Sequence, residues 1–261
     1  MQHAKVIEHI SGWLKDYCDN AGMNGFVVGV SGGIDSAVTS TLAARTGKRV
    51  IVVGMPIYQA PGQQTLSEQH MDWLCKNFDN VEQVSVELDA VFKAMEATYP
   101  KDVQDPLTMA NTRARLRMTT LYVFAAHHKM LVGGTGNKVE DFGVGFYTKY
   151  GDGGVDLSPI ADLMKTEVYA IAKELGVIQG IQDAAPTDGL WDDGRTDEGQ
   201  LGASYAELEW AMRHEASGDS DANVTDKQKS VLATYRKFNT ANKHKMEPLP
   251  VCIIPQELLS A

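Results

Sequence analysis

Phe26-Val27-Val28-Gly29-Val30-Ser31-Gly32-Gly33-Ile34-Asp35-Ser36 joins an apolar run to a glycine pair flanked by serines, and its reading decides the architecture. The run at 26–30 predicts a strand buried on both faces, with a helix beginning near Ser36. Adjacent glycines let the backbone take positive φ and let a ligand approach the amides closely. The first N–H groups of a helix have no intrahelical partner, and the helix dipole adds roughly half a positive charge there. Gly29, Val30, Ser31, Gly32, Gly33, Ile34, Asp35 and Ser36 therefore read as a phosphate-binding junction. The common nucleotide-triphosphatase loop ends in Gly-Lys-Ser/Thr, its lysine on the β- and γ-phosphates. Here Ile34-Asp35-Ser36 stands in that place. A carboxylate facing phosphates repels them unless a divalent cation intervenes, which points Asp35 toward a magnesium ion.

Outward from this junction the pattern is βαβαβ. Residues 5–20 place Val6, Ile10, Trp13, Leu14 and Tyr17 at helical steps, predicting a lead-in helix. The helix after the loop runs to about residue 45, closed by Gly47. Further strands are predicted at 49–57, 81–88 and 130–135, with helices at 61–78, 89–98 and 105–128. The order predicts an α/β fold, a doubly wound, mainly parallel sheet flanked by helices in a single domain. Helices at 163–175, 205–216 and 225–242 follow. About twenty residues between 182 and 203 show little periodicity and read as a long loop over the site. Residues 1–24 form the lead-in, 25–216 the core, and 217–261 an appendage docking on the same domain or across a dimer.

The 261 residues carry 24 Lys and Arg against 34 Asp and Glu, a net charge of −10, which disfavours a nucleic-acid partner. Cys18, Cys75 and Cys252 are far apart, without a Cys-x-x-Cys pair, and fit inert, largely buried thiols in a reducing cytoplasm. Neither a membrane-spanning apolar run nor a signal peptide is seen, so a soluble cytoplasmic protein is expected.

A second glycine-rich turn, Gly133-Gly134-Thr135-Gly136-Asn137-Lys138-Val139-Glu140, follows the predicted strand at 130–135. Ligands of open α/β sheets collect at that edge. Glu140 becomes the second magnesium carboxylate beside Asp35, and Thr135 a hydroxyl for the nucleotide. Lys165 falls in the first turn of its helix, the unfavourable end of the dipole, where an anionic partner such as a β- or γ-phosphate would compensate.

Residues 29–36 resemble the pyrophosphate loop of the N-type ATP pyrophosphatases, which split ATP between the α- and β-phosphates. That superfamily includes NAD synthetases, GMP synthetases, asparagine synthetases and tRNA-modifying enzymes. Asn111-Thr112-Arg113-Ala114-Arg115-Leu116-Arg117-Met118 resembles the Asn-x-x-Ala-Arg-x-Arg-Met helix of the NAD synthetases. Helical residues two apart point about 200° from one another, so the three arginines cannot all face one ligand. The family pattern points to Arg115 for deamido-NAD. Phe146-Tyr147-Thr148-Lys149-Tyr150-Gly151-Asp152-Gly153-Gly154-Val155-Asp156 is similar to the Phe-x-Thr-Lys-x-Gly-Asp-Gly-Gly-x-Asp signature of the same family. That likeness implies deamido-NAD contacts for Lys149 and Asp156 and a place beside the incoming ammonia for Asp152. It also implies a phosphate contact for Thr187 and a dinucleotide contact for His244-Lys245, a pair that by itself reads equally as surface charge.

The resemblance implies an ammonia-dependent NAD synthetase with an adenine-nucleotide alpha-hydrolase-like fold, ATP as co-substrate, Mg2+ as cofactor and a homodimer. Glutamine-dependent relatives carry a large upstream amidohydrolase domain. Only about 25 residues precede the first strand here, so free ammonia, or ammonia from a separate protein, is expected. A GMP synthetase-like or tRNA-modifying pyrophosphatase and a non-catalytic nucleotide sensor share the first loop and remain open at this stage.

Overall fold

The structure, a computed structural model, describes residues 1–58, 65–186 and 196–259. In chain order the first half comprises α1 (His3–Asn20), β1 (Gly25–Gly29), α2 (Ile34–Arg45), β2 (Arg49–Gly54), α3 (Leu66–Asn77), β3 (Val81–Ser85), α4 (Asp89–Thr98) and α5 (Pro106–His128). The second half comprises β4 (Leu131–Val132), a π-helical turn at Val139–Val144, α6 (Lys165–Leu175), α7 (Gln179–Asp183), α8 (Asp197–Leu201), α9 (Tyr205–Ser217) and α10 (Asp226–Met246).

The strands pair in the order β3-β2-β1-β4, all parallel, with Val27 opposite both Ile51 and Val132. Alternation decides the layers. Phe26 and Val28 pack with α1, α2 and α6, whereas Val27, Ile51, Val53 and Val132 pack toward Leu121 and Ala125 of α5. Both faces of the sheet are thus covered, as the continuous apolar strands require. Each strand ends earlier than its apolar run. Met55 and Ile57, beyond β2, bury against Leu88 and Phe92 instead of extending the ladder.

The lead-in helix forms, but its buried stripe is Ile7, Ile10, Leu14 and Cys18. Trp13 and Tyr17, expected on the inner face, meet at a tilt with ring centroids 5.6 Å apart and are 40% and 42% exposed. α2 starts at Ile34, two residues before Ser36. α3 begins at Leu66, where Thr65 and Glu68 form a capping box; the earlier part of the predicted 61–78 helix falls partly outside the described residues. Cys18 is buried and Cys75 half-buried, but Cys252 is exposed, contrary to the expected burial of all three. No helix of the described residues is long and apolar enough to cross a membrane.

The last long helix, α10, packs on its own chain, whereas residues 247–259 are exposed. Val231, Leu232 and Tyr235 of α10 form a second core with Tyr205, Leu208 and Ala211 of α9 and with Val139 and Val144 of the π-helical turn. Asn239 and Asn242 donate amide hydrogens to the carbonyls of Gly143 and Val144, each at 2.8 Å. α10 continues to Met246, so His244 and Lys245 lie on the helix and not beyond it.

A buried histidine links α3 to α2. His70 is fully buried, with Nε2 3.1 Å from Ser40 Oγ, and its ring stacks on Trp73. Burial lowers its pKa to about 4. Because the folded value lies below the unfolded one, the unfolded chain binds the extra proton first. The contribution is complete above about pH 6.5 and is lost as pH falls toward 4, up to about 3 kcal/mol. Urea unfolding from pH 7 to pH 4 is therefore expected to show a stability loss that His70→Leu reduces by that amount. Parallel pH profiles for the two proteins would contradict it.

Candidate active site

The loop between β1 and α2 is held by its own serines. Ser36 Oγ accepts the Ser31 N–H and donates to the Gly33 carbonyl, while Ser31 Oγ accepts the Gly33 N–H. Gly32 has φ +88°, and a Cβ there would lie 2.9 Å from the Ser67 nitrogen, so only glycine suits the turn. The amides of Ile34, Asp35 and Ser36 form the first turn of α2, where no intrahelical acceptor exists.

Lys165, 3% exposed, lies between two carboxylates. Its Nζ is 2.5 Å from Asp35 Oδ2 and 3.0 Å from Glu140 Oε1. Asp35 Oδ1 accepts from Asn137 Nδ2 at 3.1 Å, and Glu140 Oε1 accepts from the Tyr205 hydroxyl at 2.5 Å. The Lys165 ammonium also lies over the Tyr205 ring, 4.7 Å from its centroid. Burial acts to lower the Lys165 pKa, but Asp35 and Glu140 outweigh it and hold the ammonium well above its ordinary value. Burial raises the Asp35 carboxyl, against the pull of Lys165 and with the help of Glu140. Asp35 and Glu140 offset the unfavourable dipole position of Lys165, and at the same helix end Glu209, 2% exposed, accepts from both Thr166 N and Thr166 Oγ1.

Asp141 lies across Gly136, whose added Cβ would meet Asp141 Oδ1 at 2.1 Å, so that glycine makes room for a carboxylate. Burial, then Glu140, pushes Asp141 up to about 7. Asp152 accepts the Thr148 N–H at 2.9 Å. Surrounding protein raises its carboxyl even though the side chain opens onto the cavity, with the Thr148 bond opposing the rise.

Two cavities meet here. One, of about 360 Å³, is lined by residues 31–36, Glu140, Asp141, Asp152, Lys165, Pro186 and Asp197. Its neighbour, of about 230 Å³, is walled by Met55, Met118, Leu121 and Val155, with Gly29, Val30 and Arg117. Ser31, Ser36, Thr135 and Asp152 border both. A charged compartment suited to a polyphosphate thus adjoins an apolar one suited to a flat ring, and Thr135 and Asp152 stand at the junction.

The other described residues singled out from sequence, Arg115, Lys149, Asp156, His244 and Lys245, line neither of these two cavities. Arg115 is exposed, and its guanidinium donates to the Lys149 carbonyl at 3.3 Å. Lys149 Nζ donates to the His244 carbonyl at 2.6 Å, and Lys245 Nζ to the Tyr147 carbonyl at 2.7 Å. Asp156 turns from the cavities toward the sheet, accepting from Val132 N at 2.8 Å and the Tyr122 hydroxyl at 3.0 Å. Thr187 lies outside the described residues, and the long loop read at 182–203 contains two short helical pieces, the end of α7 and all of α8. Sequence reasoning missed Asn137, Asp141, Asp197 and Tyr205, and it passed over Arg117, whose Nε donates to the Met55 carbonyl at 3.1 Å. The signal for Arg117 was present in the alternate arginines of α5, since it occupies the side opposite Arg115.

Residues 6–249 match the NAD synthase family. Among curated relatives, the NH(3)-dependent NAD(+) synthetase of Methanosarcina mazei is 37% identical over 92% of this chain and 94% of its own. The corresponding protein of Carboxydothermus hydrogenoformans is 36% identical over 84% and 88%. Among solved structures, the NMN synthetase from Francisella tularensis aligns with a TM-score of 0.80 and 30% identity, covering 98% of this chain and 99% of that one. The NH3-dependent NAD synthetase from Campylobacter jejuni gives 0.78 and 25%, covering 97% and 100%. The family match spans residues 6–249, and it selects among the pyrophosphatase branches that the first loop alone leaves open: the chain belongs to the NAD synthase family.

Proposed function

We propose that this protein amidates deamido-NAD to NAD with ammonia and ATP, through an acyl-adenylate, releasing AMP and pyrophosphate. The observation that carries this reading is the Asp35–Lys165–Glu140 cluster beside the amides of residues 34–36. A carboxylate acylates poorly because its oxygen leaves badly, and transfer of AMP to that oxygen makes it a good leaving group. The departing pyrophosphate then needs positive charge and hydrogen-bond donors, which Lys165 and the helix amides supply.

Asp35 and Glu140 suit Mg2+, since two hard carboxylate donors converge on a single ammonium at the wall of the charged cavity. The ion, when bound with phosphate oxygens, supplies neutralisation of the pyrophosphate charge. Asp152, at the junction of the cavities, takes the proton that ammonium must lose before it attacks. Arg115, Lys149, His244 and Lys245 are the proposed deamido-NAD contacts, and Asp156 acts by anchoring the loop that presents Lys149. A homodimer is part of the same reading, with the acceptor groove near α5.

The test is product analysis. With ATP, Mg2+, ammonium and deamido-NAD, equal amounts of NAD, AMP and pyrophosphate are expected; ADP and phosphate would contradict the reading. The likeness to the Francisella tularensis NMN synthetase favours a second acceptor, nicotinate mononucleotide. The same assay with both acceptors decides between them by kcat/KM.

A further inference from the structure

We propose that Tyr205 is the positioning residue of the pyrophosphate and cation site, its hydroxyl fixing the Glu140 carboxylate and its ring supporting the Lys165 ammonium. The inference rests on the reading of Asp35, Glu140 and Lys165 given under the proposed function, and it adds a residue from a different part of the chain.

Tyr205 opens α9 and is 4% exposed. Its own backbone is pinned, because Glu198 Oε1 of α8 accepts the Tyr205 N–H at 2.9 Å and Ser204 caps the helix. A buried phenol usually finds one hydrogen-bond partner. This one meets two carboxylates, Glu140 Oε1 at 2.5 Å and Asp197 Oδ2 at 3.2 Å. The hydroxyl has a single proton, and the shorter contact assigns it to Glu140.

Glu140 Oε1 therefore accepts from both Tyr205 and Lys165, and these two donors fix how the remaining oxygen is presented. Such a pin from outside is needed because Glu140 sits on the π-helical turn, whose last carbonyls are themselves held by α10 asparagines and not by a regular helical ladder. A tyrosine serving only the second core would be replaced by phenylalanine without consequence for the site. The geometry requires the opposite. Asp197 extends the chain of contacts, since its N–H donates to the Pro186 carbonyl at 3.1 Å and both residues line the charged cavity.

Tyr205→Phe keeps the ring and the packing and removes only the hydroxyl. The test is Mn2+ binding followed by electron paramagnetic resonance, with α,β-methylene-ATP present and no acceptor. The apparent Kd for Mn2+ is expected to weaken about 10-fold, the usual scale for losing a group that orients a metal ligand. If Tyr205 acts through Glu140, adding Tyr205→Phe to Glu140→Gln should change the Kd by less than about 2-fold, because coupled residues are not additive. Unchanged Mn2+ affinity in Tyr205→Phe, or independent additive effects in the double variant, would overturn the proposal. So would an absence of Mn2+ binding by the parent chain under these conditions. Because the assay contains no acceptor, it reads Tyr205 separately from the product analysis, and a failure of NAD formation would refute the proposed reaction alone.

Discussion

Replacing Lys165 with methionine is expected to lower the rate of NAD formation roughly 100- to 1,000-fold, the scale seen when one preorganised donor to a developing anion is removed. Methionine preserves the length and most of the volume of the side chain, so the change isolates the charge. Asp35 and Glu140 are each within 3.0 Å of that ammonium and would be left facing one another without it. Breaking a buried ion pair from one side also costs about 3–5 kcal/mol of stability, because the partner charges stay behind. Rate and stability should nevertheless separate. Raised Mg2+ is expected to recover part of the stability by neutralising the carboxylates, but little of the rate, since the pyrophosphate still lacks its lysine. Steady-state kinetics and urea unfolding across Mg2+ concentrations check both statements. A rate loss below 10-fold would remove Lys165 from the chemistry.

Asp152→Asn is expected to divide the two half-reactions. Pyrophosphate exchange into ATP, dependent on deamido-NAD, should stay within about 3-fold of the parent, whereas amide formation at neutral pH should fall about 100-fold, the lower range for losing a general base. The carboxyl of Asp152 is raised by the protein packed around it at the cavity wall, which makes it the better proton acceptor once ionised. With the folded value above the ordinary carboxylate range, the acid limb of amide formation should likewise lie above that range. In the asparagine variant activity should recover in part as pH rises, because more of the nucleophile arrives already deprotonated. Equal losses in both half-reactions would assign Asp152 to binding instead.

Much of this was legible in the sequence because it is local. The run at 26–30 must be covered on both faces, which fixes a parallel sheet, and Asp35 and Glu140 follow from glycine turns at the ends of neighbouring strands. The misreadings have local causes too. Trp13 and Tyr17 share a helical stripe with core residues, yet they are amphipathic and lie partly in solvent. The strands stop short of their apolar runs because Met55 and Ile57 serve the layer between β2 and α4. What the sequence could not show is pairing at a distance. Tyr205 and Glu140 lie 65 positions apart, and nothing in a tyrosine opening an amphipathic helix announces a carboxylate partner. Lys165 was identified by its dipole conflict, but its buried place between Asp35 and Glu140 exists only in the folded chain.

The most direct test of the acyl-adenylate follows oxygen. Deamido-NAD labelled with 18O in both nicotinate carboxylate oxygens, turned over with ATP, Mg2+ and ammonium, should yield AMP carrying one 18O in its phosphate and NAD keeping the other in its amide. Label appearing in inorganic phosphate alongside ADP, or AMP free of label, would contradict the account.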